Sequence, residues 1–210
     1  MTLAFSAVSR GIRLSNSVAA GVVASILFLL FVATLFLLGD ADVSVYLRDP
    51  AVVFEYSPFA GIISYVGILA TFSAAAICLF ASAQSPQDAA LLRAIGLFGL
   101  LIATDDLLML HEEVFPKIVG LPERLVLISY FVIAAGIAVL HRVAILRGPT
   151  AGLILAILLL GGSVLVDILV EYSPAEVVVE DGLKFVGLIV WSVYWINRAS
   201  AAVAALRSPA

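Results

Sequence analysis

Five ionisable side chains lie within nine positions of an otherwise apolar region, in the segment TDDLLMLHEEVFP at residues 104–116. They are Asp105, Asp106, His111, Glu112 and Glu113. On a continuous α-helix, Asp105 and Glu112 would lie about 10.5 Å apart on nearly the same face, and so would Asp106 and Glu113. An acid inside a membrane helix costs on the order of 3 kcal/mol, so its presence there indicates a functional site.

A second set of acids lies in the last third of the chain. Asp167 and Glu171 are four residues apart, so a helix places them on one face. Glu180 and Asp181 precede Lys184 by four and three residues, and a local ion pair among these three is the simplest interpretation of them. Together with the first set, the acids far outnumber the bases. Some of them must therefore be protonated, face water or bind a metal.

The chemistry that these residues favour is that of a divalent metal site or a paired acid and base. Carboxylates alone suit Ca²⁺, Mg²⁺ or Mn²⁺, and with a histidine they also suit Zn²⁺ or iron. The spacing matches no established metal motif, so the identity of the metal stays open. The predicted metal ligands are Asp105, Asp106, His111, Glu112, Glu113, Asp167, Glu171 and Asp181.

A smaller set is predicted to do the chemistry. Because isolated acids at this depth are costly, we expect them to converge on one outward-opening pocket. His111 has an auxiliary role in this hypothesis. The candidate catalytic residues, acting as ligands or as acid and base groups that point into the pocket, are Asp106, Glu113, Asp167 and Glu171.

The elements that position these residues are predicted to be membrane helices. Of the 210 residues, 63% are hydrophobic and 12% are charged, and the mean hydropathy is +1.19. A soluble domain has about 25% charged residues. Apolar runs long enough to cross a hydrocarbon core of about 30 Å recur six times. We expect an all-α, six-transmembrane-helix bundle that forms a single membrane domain over residues 1–210, with helices at about 18–39, 59–82, 89–111, 122–145, 150–171 and 182–205.

The arginines predict the orientation of this bundle. With six spans both termini lie on one side, and the same side holds seven of the eleven basic residues, namely Arg10, Arg13, Arg93, Arg142, Arg147, Arg198 and Arg207. The positive-inside rule makes that side cytoplasmic, so we predict a multi-pass protein of the cell membrane with both termini in the cytoplasm. Of the fifteen acids, only Asp88 falls on that side. The opposite side is therefore strongly acidic and attracts cations.

One internal regularity suggests a repeat. The tetrapeptide EYSP at residues 55–58 recurs at 171–174, and EVFP stands between them at 113–116, with a spacing of 58 residues both times. Because membrane folds are often built from repeats, the chain could consist of three helical hairpins of one ancestral design. Chance is the alternative, since a proline just beyond a helix is a common stop signal. The sequence leaves both interpretations open.

Residues outside the acidic segments favour packing roles. Cys78, the single cysteine, lies in an apolar stretch and has no partner within the chain, so we expect a buried thiol without a function. Trp191, Tyr194 and Trp195 lie near the end of the last predicted helix, where they are typical of an aromatic belt at the membrane boundary.

Three classes of function fit this pattern. A membrane-embedded, hydrolase-like enzyme would use a metal or a carboxylate pair near the outer boundary, where lipid or lipid-linked substrates arrive. A non-catalytic partner subunit or sensor would bind cations or a partner membrane protein through the same acids. A cation or proton transporter would need polar residues through the whole bilayer, and the inner half offers only scattered Ser, Thr and Tyr. We expect the lipid bilayer itself to be a partner of this protein. We do not expect it to bind nucleic acid.

Overall fold

The structure is a computed structural model that describes residues 16–38, 45, 48–86, 88–171 and 173–206. Within these residues the regular structure is helical and there is no strand, so the prediction of an all-α chain is confirmed. The chain divides into two compact units, Met1–Ala60 and Gly61–Ala210. Four residues that the predictions used lie outside the described residues, namely Arg10, Arg13, Tyr172 and Arg207.

The first unit contains α1 (Asn16–Leu38) and α2 (Pro50–Val53). The first of these is the uncharged helix predicted at 18–39. The short α2 begins at a proline, which suits a first helical turn because that turn's N–H has no helical acceptor. The Asp49 side chain accepts a hydrogen bond from the Ala51 backbone N–H at 2.8 Å and caps this helix.

The second unit carries the candidate site. Its central helix is α3, which packs against both α4 and α8, and α8 also packs against α7. A π-helix follows α4 and contacts both α4 and α5. The bounds of these elements are α3 (Ile62–Gln84), α4 (Ala89–Leu108), the π-helix (Leu110–Val119), α5 (Glu123–Leu140), α6 (Arg142–Leu146), α7 (Ala151–Leu169) and α8 (Pro174–Ala205).

Small residues allow the helices of this unit to approach closely. A Cβ atom added at Gly99 would lie 3.0 Å from the Ala75 Cβ atom across the α3–α4 contact. A Cβ atom added at Gly187 would lie 2.8 Å from the Leu160 side chain across the α7–α8 contact. Close approach of this kind is what small residues provide in membrane helices. Cys78 is fully buried in the core between these helices and forms no disulfide, as predicted.

Three helices of the described residues are long and apolar enough to cross a membrane, namely Ile62–Gln84, Glu123–Leu140 and Ala151–Leu169. A shorter apolar stretch, Ala20–Thr34, lies in α1. These helices support a membrane protein. The six-span bundle is not confirmed, because these three are the candidate spans found among the residues that the structure describes.

The bounds of three predicted helices need correction. The helix predicted at 89–111 ends at Leu108, since the backbone turns left-handed at the next residue. The helix predicted at 122–145 is interrupted at His141. The helix predicted at 182–205 begins at Pro174, because the Ser173 side chain accepts a hydrogen bond from the Glu176 N–H and caps it there.

The three similar tetrapeptides differ in local structure at the positions that the structure describes. The first, at 55–58, lies in a turn in which Glu55 has a φ of 54°. The second, at 113–116, lies inside the π-helix. The third ends at Pro174, the first residue of α8. Local structure therefore gives the three-hairpin repeat no support.

The aromatic cluster of α8 packs into the core of the second unit. Trp195 is 1% exposed and packs edge-on against the rings of Trp191 and Tyr194. The sequence pattern suggested a belt because it does not tell which face of α8 is covered. In the structure α3 and α7 both pack on α8 and enclose this face.

Candidate functional site

The site begins where α4 is interrupted. Met109 follows the last residue of α4 with φ 51° and ψ 44°, a left-handed conformation that is strained for a long side chain such as methionine. The π-helix then runs from Leu110 to Val119 and contains Pro116. A proline cannot continue an α-helix, because its ring clashes with the carbonyl four residues earlier. Segments of π-helix are frequent at functional sites, because they redirect side chains.

The interruption at Met109 brings Asp105 and His111 together. On a continuous α-helix these two residues would be about 9 Å apart along the axis and about 120° apart around it. Because the left-handed residue Met109 interrupts the helix, the His111 backbone N–H can donate to Asp105 Oδ1, at 3.0 Å. The ring nitrogen His111 Nδ1 donates to Asp105 Oδ2 in a short hydrogen bond. One broken helix therefore builds a carboxylate–imidazole pair.

Asp105 is 2% exposed and uses both carboxylate oxygens as acceptors. In addition to the two bonds from His111, the hydroxyl of Tyr130 on α5 donates to Asp105 Oδ1 at 2.7 Å. A carboxylate that accepts three hydrogen bonds is held in one position, and it fixes the imidazole ring that donates to it. The remaining ring nitrogen, His111 Nε2, is the atom left for chemistry.

Asp106, the neighbouring acid, pairs with a lysine of α8. Lys184 Nζ lies 3.1 Å from Asp106 Oδ1. The sequence predicted that Lys184 would form an ion pair with Glu180 or Asp181 on its own helix. That prediction is wrong, because the ion-pair partner of Lys184 is Asp106. Tertiary packing places α8 beside the end of α4, so Lys184 reaches the half-buried Asp106 and partly neutralises the site.

The geometry of this first group suits a cation ligand set. One ligand atom each from Asp105, Asp106 and His111 lies within 4.8 Å of the others, so the group could hold a metal ion. His111 Nε2 also lies 3.5 Å from Glu112 Oε1. The two atoms are close enough to contact one ion or one water molecule. An imidazole nitrogen with carboxylate oxygens suits Zn²⁺, Mn²⁺ or iron.

A second acidic group joins the end of α7 to the start of α8. Ligand atoms of Asp167, Glu176 and Glu180 lie within 4.8 Å of one another, and this group could also hold a metal ion. Glu180 lies in the second turn of α8, a helix that is not among the three candidate spans, and burial together with the negative charge of Asp167 raises its pKa to about 7. Three carboxylates at this distance repel one another when all are ionised.

The predicted site residues are thus divided between two groups instead of sharing one pocket. The first group contains three of the predicted metal ligands, and Glu112 lies beside it. The second group contains Asp167. Glu113 belongs to neither, because it pairs with Lys117 one turn further along the π-helix. Glu171 and Asp181 are exposed and also belong to neither.

Two residues of the site were missed by the sequence reasoning. Glu176 is buried in the second group. The pattern Ser173-x-x-Glu176 is a capping signature, which could have placed the start of α8 and this acid. Tyr130 stands in a strongly apolar helix, and a buried tyrosine hydroxyl usually finds a partner. No spacing rule links it to Asp105, 25 positions earlier.

No protein of curated function and no solved structure matches the chain. A protein-family model does match it over residues 19–197, a range that includes both acidic groups. The chain therefore belongs to the family described as "Domain of unknown function (DUF8692)".

Proposed function

We propose that this protein is a membrane-embedded, metal-assisted, hydrolase-like enzyme that acts on a lipid or lipid-linked substrate. The observation that carries the proposal is the Asp105–His111 pair. A buried carboxylate, itself held by Tyr130, fixes the imidazole ring through Nδ1 and leaves Nε2 to face Glu112. Catalytic histidines and metal-binding histidines are commonly held in this way.

The first acidic group fits a divalent cation by its donor set. Asp106 and His111 belong to the group whose ligand atoms lie within 4.8 Å of one another. We assign the ion to the Asp106 carboxylate and to His111 Nε2, while Asp105, which is bonded to Nδ1, would orient the histidine from behind. When bound, such an ion polarises a carbonyl or phosphoryl oxygen and lowers the pKa of a bound water. Lys184 offsets part of the negative charge and leaves the second oxygen of Asp106 for the ion.

We assign the proton transfer to Glu112. Its Oε1 lies 3.5 Å from His111 Nε2, and its side chain is partly exposed. In the proposed reaction the oxygen of a water molecule attacks the carbonyl carbon or the phosphorus of an ester. Glu112 takes a proton from that water and returns it to the leaving oxygen as the ester C–O or P–O bond breaks.

A second candidate function is a non-catalytic partner subunit or sensor that binds cations. The second acidic group favours it, because Asp167, Glu176 and Glu180 have no ion pair with a base among the described residues. In this alternative, cation binding bridges α7 and α8 without turnover. Transport is a weaker third candidate, because neither acidic group provides a polar route along the helices.

Metal content and lipid turnover test the enzyme. The purified protein is analysed for bound elements, and lipid pools are compared in membranes with and without it. His111→Gln should lose the metal, and Glu112→Gln should retain most of the metal but lose turnover. The matched control is Glu123→Gln, an exposed acid in the first turn of α5, which should behave like the wild type. If the wild type binds metal but changes no lipid pool, the sensor replaces the enzyme.

A further inference from the structure

Lys184 brings a positive charge from α8 to the first acidic group. Its Nζ atom lies 3.1 Å from Asp106 Oδ1. The ammonium group also interacts electrostatically with His111 and with Glu112, the residue to which the proton transfer is assigned. The lysine is therefore close to each of the side chains that the proposed reaction uses, although the reaction as described gives it no contact with the substrate.

The ion pair with Asp106 does not use all the hydrogen-bond donors of Lys184. An ammonium group has three N–H donors. One of them is directed at Asp106, and the described residues accept no second hydrogen bond from Lys184. The Lys184 side chain is 36% exposed, so the other donors can reach a molecule that enters the site. Neutralisation of one carboxylate thus leaves donors for a ligand.

The charges of the site explain why a cation is needed there in addition to a metal ion. The carboxylates of Asp105, Asp106 and Glu112 give three negative charges when all are ionised. Lys184 removes one of them, and the two that remain equal the charge of one divalent ion. With both cations in place and His111 neutral, the formal charge is zero. Without Lys184 the loaded site would stay negative and would repel an anionic substrate.

The arrangement around Asp106 distinguishes between the two ester types. One oxygen of Asp106 binds the Lys184 ammonium, and the other is assigned to the ion, so two positive charges lie side by side at one carboxylate. A carboxylic ester develops negative charge on one oxygen, and a single cation stabilises it. A phosphate ester carries negative charge on several nonbridging oxygens, which suit two adjacent cations. Lysine is a common phosphate ligand because it acts as a compact point charge.

The segment that carries the first acidic group also exposes apolar side chains. They follow Asp106 at the end of α4 and return at the end of the π-helix, and they are Leu107, Leu108, Met109, Ile118 and Val119. In a membrane protein, apolar side chains of this kind contact acyl chains at the boundary with the headgroups. A free phosphate ion makes no use of them. A phosphate group that reaches this site is therefore expected to belong to a lipid.

We propose that the substrate of the first acidic group is a phosphate ester of a lipid, and that Lys184 binds a nonbridging oxygen of its phosphate group. This inference rests on the proposed hydrolase function and narrows it to one ester type. The oxygen of water forms a bond to phosphorus while the P–O bond to the leaving oxygen breaks. The proton that Glu112 takes from the water passes to that oxygen. Lys184 makes and breaks no covalent bond, and it stabilises the charge on the nonbridging oxygen.

Binding of hexadecylphosphonate to the purified full-length protein in a nonionic detergent tests this assignment without turnover, because hydrolysis does not cleave its P–C bond. The comparison probes are hexadecyl acetate, a neutral carboxylic ester with the same chain, and inorganic phosphate. Each is titrated calorimetrically, with added Mn²⁺ and with a chelator. With Mn²⁺, the wild type should bind the phosphonate about tenfold or more tightly than the acetate. Equal affinities for these two would overturn the phosphate assignment, and equally tight binding of inorganic phosphate would overturn the lipid assignment.

Variants of the two lysines show whether Lys184 is responsible for that preference. Lys184→Gln should weaken phosphonate binding about tenfold or more, since a charge-assisted hydrogen bond is lost, and should leave acetate binding unchanged. Lys184→Arg keeps the charge and should regain most of the affinity. The matched control is Lys117→Gln, because Lys117 is an exposed lysine that pairs with Glu113 on the π-helix. Bound Mn²⁺ is counted in every variant, so that loss of the ion is not taken for loss of the phosphonate.

Each remaining outcome bears on one proposal or on both. Equal losses from Lys184→Gln and Lys117→Gln would mean general charge attraction and would overturn the role of Lys184. If Lys184→Gln does not fold, weak phosphonate binding by a folded Lys184→Arg variant and by the wild type would still overturn it. Selective phosphonate binding without any lipid turnover would support the phosphate site and overturn the enzyme. Turnover of a carboxylic ester lipid without phosphonate binding would support the enzyme and overturn the phosphate site.

Discussion

Replacement of Asp105 by Asn tests the core of the proposed site at the level of single atoms. Asn has the same shape, and its side-chain oxygen can replace Oδ1, which accepts from the His111 N–H and from Tyr130. Its amide nitrogen replaces Oδ2, which accepts from His111 Nδ1. Two donors cannot face each other, so the ring should move its proton from Nδ1 to Nε2.

All three hydrogen bonds to Asp105 lose their charged acceptor in this variant. A bond to a charged group contributes about 1.5–3 kcal/mol and a neutral one about 0.5–1.5 kcal/mol, whereas removal of a buried charge offsets part of the loss. Asp105→Asn should therefore lower the free energy of unfolding by about 1–2 kcal/mol. Metal binding should fall much further, because Nε2 no longer has a free lone pair. A wrong tautomer is known to cost an enzyme far more than it costs the fold.

Nitrogen-resolved NMR of the histidine rings reports the tautomer directly. The chain has two histidines, so a His141 variant assigns the signals. We expect the proton on Nδ1 of His111 in the wild type and on Nε2 in the variant, with unfolding followed by denaturant titration in micelles. The control is Glu123→Gln, which should change neither. An unchanged His111 tautomer in Asp105→Asn, with full metal content, would refute the assigned role of Asp105.

Three further predictions concern the surroundings of this pair. Met109→Gly should raise the free energy of unfolding by about 1 kcal/mol, because glycine adopts the left-handed conformation without strain, whereas Met109→Ala should give no gain; a loss in the glycine variant would contradict the strain argument. Tyr130→Phe should cost about 1 kcal/mol, and its combination with Asp105→Asn should cost less than the sum, since both remove one shared contact; strict additivity would speak against it. Folding raises the pKa of Glu180 from 4.5 to about 7, so the folded state holds that proton more tightly, and stability in the presence of a chelator should fall as the pH rises through this range. Glu180→Gln should flatten that slope, measured by melting temperature between pH 4.5 and 7.5, and an unchanged slope would assign the effect to other groups.

Much of the candidate site could be located from the sequence. Charged residues are rare in this chain, so their crowding near Asp105 was visible without coordinates. Three of the predicted ligands do lie together, and the apolar runs of α3, α5 and α7 have the length that a membrane span requires. Each of these features depends on residue type and local spacing, which the sequence contains.

The partners of these residues were decided by tertiary structure. Helical spacing predicted that Asp106 would share a face with Glu113 and that Lys184 would pair within its own helix. The left-handed turn at Met109 overturns the first expectation, because Asp106 lies in α4 whereas Glu113 lies in the π-helix. Packing of α8 beside the end of α4 overturns the second expectation, because Lys184 Nζ lies 3.1 Å from Oδ1 of the half-buried Asp106.

The sequence by itself determined which residues can do chemistry here, because membrane helices admit few ionisable side chains and each of them is conspicuous. It did not determine that Asp105 would be the buried anchor of His111. That pairing requires a break in the helix and the Tyr130 hydroxyl from a different helix. A helical periodicity describes faces of one straight element, whereas a hydrogen bond across a break depends on three-dimensional distances that only the folded chain sets.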